Sequence, residues 1–186
     1  MEPKPFYFNK SNIKAIVLGA DPTNYSYHAK QVNLQYAFGI GQDPRYFQGI
    51  LENLNLLGLH LEDIYIDNLM TGYQGQETSK NKNFATAARQ HVPELKKRLY
   101  KIKNSKNLPV FITAYDIYKA LLKDGEKVLT AHALYSLESE IPIPAEKNLM
   151  GRPLIPLFRH DDYKLESRTD YKNYLLGYLN YKPGTS

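Results

Sequence analysis

Cysteine and tryptophan are both absent from this 186-residue chain, and methionine occurs only three times. Without cysteine there can be no disulfide, no thiolate zinc site, no cysteine-ligated iron–sulfur cluster and no thiol nucleophile. No apolar run approaches the ~20 residues of a membrane-spanning helix. The first residues, Met1 to Pro5, lack the basic-then-apolar layout of a secretory signal. The chain has no G-x-x-x-x-G-K-[ST] phosphate loop, no G-x-G-x-x-G dinucleotide fingerprint and no G-x-S-x-G nucleophile elbow. His28, His60, His91 and His132 are scattered without metal-ligand spacing. The expectation is therefore a cytoplasmic monomer that uses neither metal nor cofactor and has no membrane partner.

What is present is ordinary globular composition, 42% hydrophobic and 23% charged, in a length that suits one domain over residues 1–186. The formal charge is +5, but it is unevenly spread. Residues 80–106 hold nine basic side chains against the single acid Glu94, so this stretch carries +8 and the rest of the chain −3. Such a stretch fits two roles: a phosphate-attracting surface, with Lys80, Lys82 and Arg89 as its candidate contacts, or a solvated helix face followed by a lysine-rich turn. The sixteen tyrosines recur mostly at spacings that suit half-buried helix and strand faces.

The apolar pattern alternates between strand and helix. Residues 13–18, 64–66, 108–113 and 154–158 read as short buried strands, with Pro156 placing the last at a sheet edge or a bulge. Residues 128–130 are a further candidate strand. Helical spacing runs over 44–58 with Gly58 as its cap, over 84–103 with a break or kink at Pro93, over 115–122, and over 170–181. Residues 72–83 and 141–151 read as loops. Strands separated by helices predict an α/β fold of three layers, α/β/α, around a central, largely parallel four-stranded sheet.

In such sheets ligands bind beyond the carboxyl ends of the strands. Three polar groups immediately follow predicted strands: Gly19 to Pro22, the pair Asp67 and Asn68, and Arg159 to Asp161. Gly19 permits a tight turn, and Pro22 holds Asp21 extended at the mouth of the sheet, where a carboxylate can orient a water. Asp before Pro also closes ordinary turns, so the tetrapeptide by itself leaves both roles open.

Taken together, these segments resemble the uracil-DNA glycosylase superfamily. Residues 16–24, Ile-Val-Leu-Gly-Ala-Asp-Pro-Thr-Asn, are similar to that family's strand and first motif, G-Q-D-P-Y-H. Residues 32–40, containing Phe38, resemble the segment that carries its base-stacking phenylalanine. Residues 64–69 resemble the strand that ends in its base-reading asparagine, and residues 154–160 the strand leading to its catalytic histidine. The resemblance implies a hydrolase that cleaves the N-glycosidic bond of uracil or another deaminated or damaged base in DNA. Asp21 and His160 would be catalytic, the first positioning the water and the second hydrogen-bonding the departing base. Gly19, Ala20, Thr23, Phe38 and Asn68 would hold the base, and Lys80, Lys82, Arg89 and Arg159 would face phosphates. The partner implied is single- or double-stranded DNA containing an altered base.

Three first-motif positions depart from the family pattern. Ala20 replaces its Gln, Thr23 the Tyr that walls off a methyl group, and Asn24 its final His. The smaller wall predicts a roomier pocket. Asp161 and Asp162 follow His160 where the family has H-P-S-P, which predicts repulsion of phosphate. Two further readings follow: a nucleic-acid- or nucleotide-binding module of the same fold without the activity, and a hydrolase of small nucleosides or nucleotides.

Overall fold

The computed structural model describes residues 2–23, 32–74, 78–103 and 105–180. Asn24, His28 and the residues after Asn180 lie outside the described residues. The architecture is α/β. Four strands, β1 (Ala15–Gly19), β2 (Ile64–Asn68), β3 (Val110–Ile112) and β4 (Leu154–Pro156), form one parallel sheet in the order β2-β1-β3-β4. Every residue of these strands is buried. That explains why they read as continuous apolar runs: a parallel sheet is covered by helices on both faces.

The chain steps from β1 to β2 on one side and then to β3 on the other. The loops leaving β1 and β3 therefore diverge, which opens a crevice at the carboxyl edge of the sheet. Both sheet edges are closed by short segments. Phe6 exchanges two backbone hydrogen bonds with Ile66 of β2, each 2.9 Å, and Ile143 pairs antiparallel with Leu154 of β4. Pro156 ends that edge strand, where its missing N–H interrupts no central ladder.

The helices are α1 (Gln48–Leu56), α2 (Phe84–Leu99), α3 (Tyr115–Leu121), α4 (Ala131–Tyr135) and α5 (Thr169–Asn180). Helix α2 runs unbroken through Pro93 and stops at Leu99 rather than Lys103. Phe84, Ala88, Val92, Leu95 and Leu99 form one buried stripe along it, and that packing outweighs the hydrogen bond lost at proline. Residues 128–130 are not a strand. Val128 is exposed, the Leu129 backbone is held by the Tyr115 and Tyr118 hydroxyls at 2.7 and 3.0 Å, and Thr130 caps α4, a helix the apolar pattern does not predict. Several tyrosines serve the loops in this way. Tyr171 donates to the Pro156 carbonyl at 2.8 Å, and the Phe158 N–H donates to the Tyr135 hydroxyl. Among the described residues no helix is long and apolar enough to cross a membrane.

Candidate functional site

A cavity of about 360 Å³ opens at the crevice. Its walls come from the loop after β1 (Gly19, Ala20, Asp21, Pro22, Thr23), the last residue of β2 (Asn68), the segment after β3 (Thr113, Ala114, Asp116) and Arg159 after β4. Leu34, Phe38, Tyr46 and Thr78 complete it. The backbone ties these walls together: the Leu69 and Met70 N–H groups donate to the Gly19 and Ala20 carbonyls at 2.8 and 2.9 Å, and the Arg159 N–H donates to the Thr113 carbonyl at 3.0 Å.

At the floor, Gly19, Phe38 and Asn68 are in close packing. A β-carbon on Gly19 would sit 2.7 and 2.8 Å from two Phe38 ring atoms and would also strike the Asn68 amide oxygen. Phe38 reaches this place through a left-handed backbone, φ 58° and ψ 10°, a conformation costly for a bulky residue and typical of functional sites. Its ring leans on Phe47, with centroids 5.3 Å apart.

Asn68 is buried, and its backbone is held from behind. The buried Asp67 carboxylate accepts the Asn68 N–H at 2.8 Å and the Arg98 Nε at 2.8 Å, while Arg98 also donates to the Asn68 carbonyl at 3.0 Å. Burial pushes the Asp67 carboxyl above the usual carboxylate range, against the pull of the Arg98 guanidinium. Burial and the neighbouring Asp67 charge push the Tyr65 phenol up as well.

Asp21 is half-buried in the wall. One carboxylate oxygen accepts the Thr23 N–H at 2.8 Å and the other accepts the Thr78 hydroxyl, so its orientation is set from two sides. Thr23 in turn accepts the Gln74 N–H at 2.8 Å, which fastens the loop after β2 to the loop after β1. A second carboxylate, Asp116, lines the cavity and pairs with Lys119 at 2.7 Å. At the rim the Arg159 guanidinium lies over the Tyr46 ring, 5.5 Å from its centroid.

The structure thus brings Gly19, Ala20, Asp21, Thr23, Phe38, Asn68 and Arg159 to one cavity. His160 does not join them. Its side chain is 70% exposed, and its Nδ1 accepts the Asp162 N–H at 3.3 Å, capping the turn Asp161–Tyr163. Arg89 does not line the cavity either: it bridges α2 to the end of α3, donating to the Ala120 and Leu122 carbonyls at 3.1 and 2.9 Å and pairing with Asp124. Lys80 and Lys82 lie on the exposed surface and do not line the cavity. The acidic pair after His160 is partly neutralised, because Lys164 sits 2.8 Å from Asp161 and holds its carboxyl below the usual range.

Sequence reasoning misses Tyr46, Thr78, Thr113 and Asp116. Thr113 and Asp116 follow β3, so the rule that points to Asp21 and Asn68 could have found them. Thr78 and Tyr46 stand in loop and turn with no such signal. Among the described residues no group of three or more His, Asp or Glu side chains could hold a metal ion. Comparison with protein-family models and with curated proteins found no match.

Proposed function

We propose that the cavity receives a single nucleobase and that the protein is a DNA-glycosylase-like hydrolase acting on uracil or another deaminated base. The observation that carries this reading is the packing of Phe38 and Asn68 over Gly19, with Asp21 in the same cavity, at the switch point of the sheet. A planar base can lie on an aromatic ring while the asparagine amide, both donor and acceptor, meets its polar edge. Asp21 then faces the sugar. Water adds to C1′, the C1′–N bond breaks, its electron pair leaves with the base, and the proton lost by the water passes by way of Asp21 or solvent to the departing base. A carboxylate stabilises the positive charge that grows on the sugar, and the Asn68 amide meets the negative charge on the base.

The test offers uracil- and hypoxanthine-containing oligonucleotides to the purified protein and measures abasic sites. Asp21→Asn is expected to lower base release at least a hundredfold, whereas His160→Ala, whose ring lies outside the cavity lining, should lower it less than tenfold. Equal release by the native protein and Asp21→Asn would remove the reading.

The exposed position of His160 favours a second reading, a base-binding module of the same fold without hydrolysis. Oligonucleotide binding that weakens with salt, without base release, would establish it.

A further inference from the structure

The lining of the cavity holds a pair of side chains that the base-binding reading leaves unused. Tyr46 is the last residue of the turn Pro44–Tyr46, directly before Phe47. Phe47 is buried against Phe38, while Tyr46 is half-buried and lines the cavity. The exposed Arg159 guanidinium covers the Tyr46 ring from across the mouth, and a second guanidinium, Arg45, lies 5.7 Å from the same ring, itself held by Asp43. Neither partner of the Tyr46–Arg159 pair is loosely placed. The Arg159 backbone is tied to Thr113 at 3.0 Å, and the turn bearing Tyr46 begins with a proline and is capped by the Asp43 carboxylate, which accepts the Arg45 N–H.

An exposed guanidinium lying over an aromatic ring extends that ring into a positively charged surface on which a nucleobase can stack. Phe38, in the lining of the same cavity, offers a first such surface. Two aromatic rings in one cavity, one packed over Gly19 and one beneath the exposed Arg159, match two consecutive nucleotides rather than one nucleoside. The ring beneath Arg159 takes a base only if that base is free of its own neighbours. In a duplex the adjacent base stays stacked and paired, whereas in a single strand it can swing onto the ring.

We propose that Tyr46 and Arg159 form a second base seat, which takes the nucleotide next to the one in the cavity and makes single-stranded nucleic acid the preferred ligand. This proposal rests on the base-binding reading of the cavity but not on hydrolysis, so the two fail separately.

The experiment measures binding of a ten-nucleotide oligothymidylate with one central deoxyuridine, single-stranded and annealed to its complement, and of deoxyuridine monophosphate. Tyr46→Ala should weaken single-strand binding about tenfold, the loss expected for one stacked base, and Tyr46→Phe should leave it within about twofold, since the stacking face is kept. Arg159→Lys, which keeps the charge and loses the plane, should weaken it severalfold. The duplex and the mononucleotide should respond to none of the three. Equal losses for the mononucleotide and the oligonucleotide would overturn the proposal, because Tyr46 would then hold the target nucleotide itself. An unchanged single-strand affinity in Tyr46→Ala would overturn it too. Absence of base release by the native protein, with the binding pattern as expected, would sink hydrolysis and leave the second seat standing.

Discussion

At Gly19 the chain has no room for a β-carbon, because Phe38 and Asn68 already occupy the space above its backbone. Gly19→Ala is therefore expected to push the ring and the amide apart and to destabilise the fold by about 1–3 kcal/mol, the usual cost of overpacking. Urea unfolding checks the stability. Oligonucleotide binding, which should weaken in the same variant, checks whether the displaced groups are those that hold the base. Phe38 reads as a stacking residue from its place in a motif, and its left-handed backbone adds an independent physical mark. Asp21 shows how far a short motif reaches. Its position beyond a strand can be read from the chain, but the Thr78 hydroxyl that orients it arrives from 57 residues away.

Among the elements, α2 is the one whose charges change meaning on folding. In the linear chain its arginines count toward a phosphate-binding stretch. In the structure Arg98 braces the end of β2 and Arg89 caps the end of α3. Arg89→Ala should cost about 2 kcal/mol, since it abandons two helix-terminal carbonyls, and should leave the salt dependence of nucleic-acid binding unchanged. Denaturant unfolding and a salt titration separate the two. The start of the sheet depends on another pair. Lys14, just before β1, lies 2.7 Å from Asp63, just before β2, and the His60 N–H donates to the same carboxylate at 3.0 Å. Burial pushes the Asp63 carboxyl up, but the bonds from Lys14 and His60 outweigh it and hold the group below its ordinary 3.8. A depressed folded value means that this stabilisation is present above pH 3.8 and lost as pH falls through the lowered value. Asp63→Asn should thus cost about 1 kcal/mol at neutral pH and progressively less as pH falls below 3.8, as followed by unfolding across that range.

For the molecule as a whole, the net charge of +5 sets how a polyanion would be attracted. On the base-binding reading, the exposed Lys80 and Lys82 are candidates for that task. Replacing both Lys80 and Lys82 by Gln should flatten the salt slope of single-strand binding by about 1.4, or about 0.7 for each phosphate that is no longer neutralised. An unchanged slope would move the phosphate track elsewhere. The α/β class, the four parallel strands and the positions of Asp21, Asn68 and Arg159 at or beyond the strands' carboxyl ends were determined by the sequence itself, because strands buried on both faces must be apolar runs and parallel strands must be joined by crossovers. Pro93 misleads because proline is a local signal and α2 is held by its packed stripe; residues 128–130 mislead because three apolar or β-branched residues cannot be told from a loop pinned by tyrosine hydroxyls. Which side chains share the cavity was decided only by the tertiary structure. Arg159 and His160 are neighbours in the chain, yet one lines the mouth and the other caps a turn in solvent. Tyr46 and Thr78 enter from two further segments. Residues distant in sequence meet only where the sheet reverses its order, and no local pattern records that meeting.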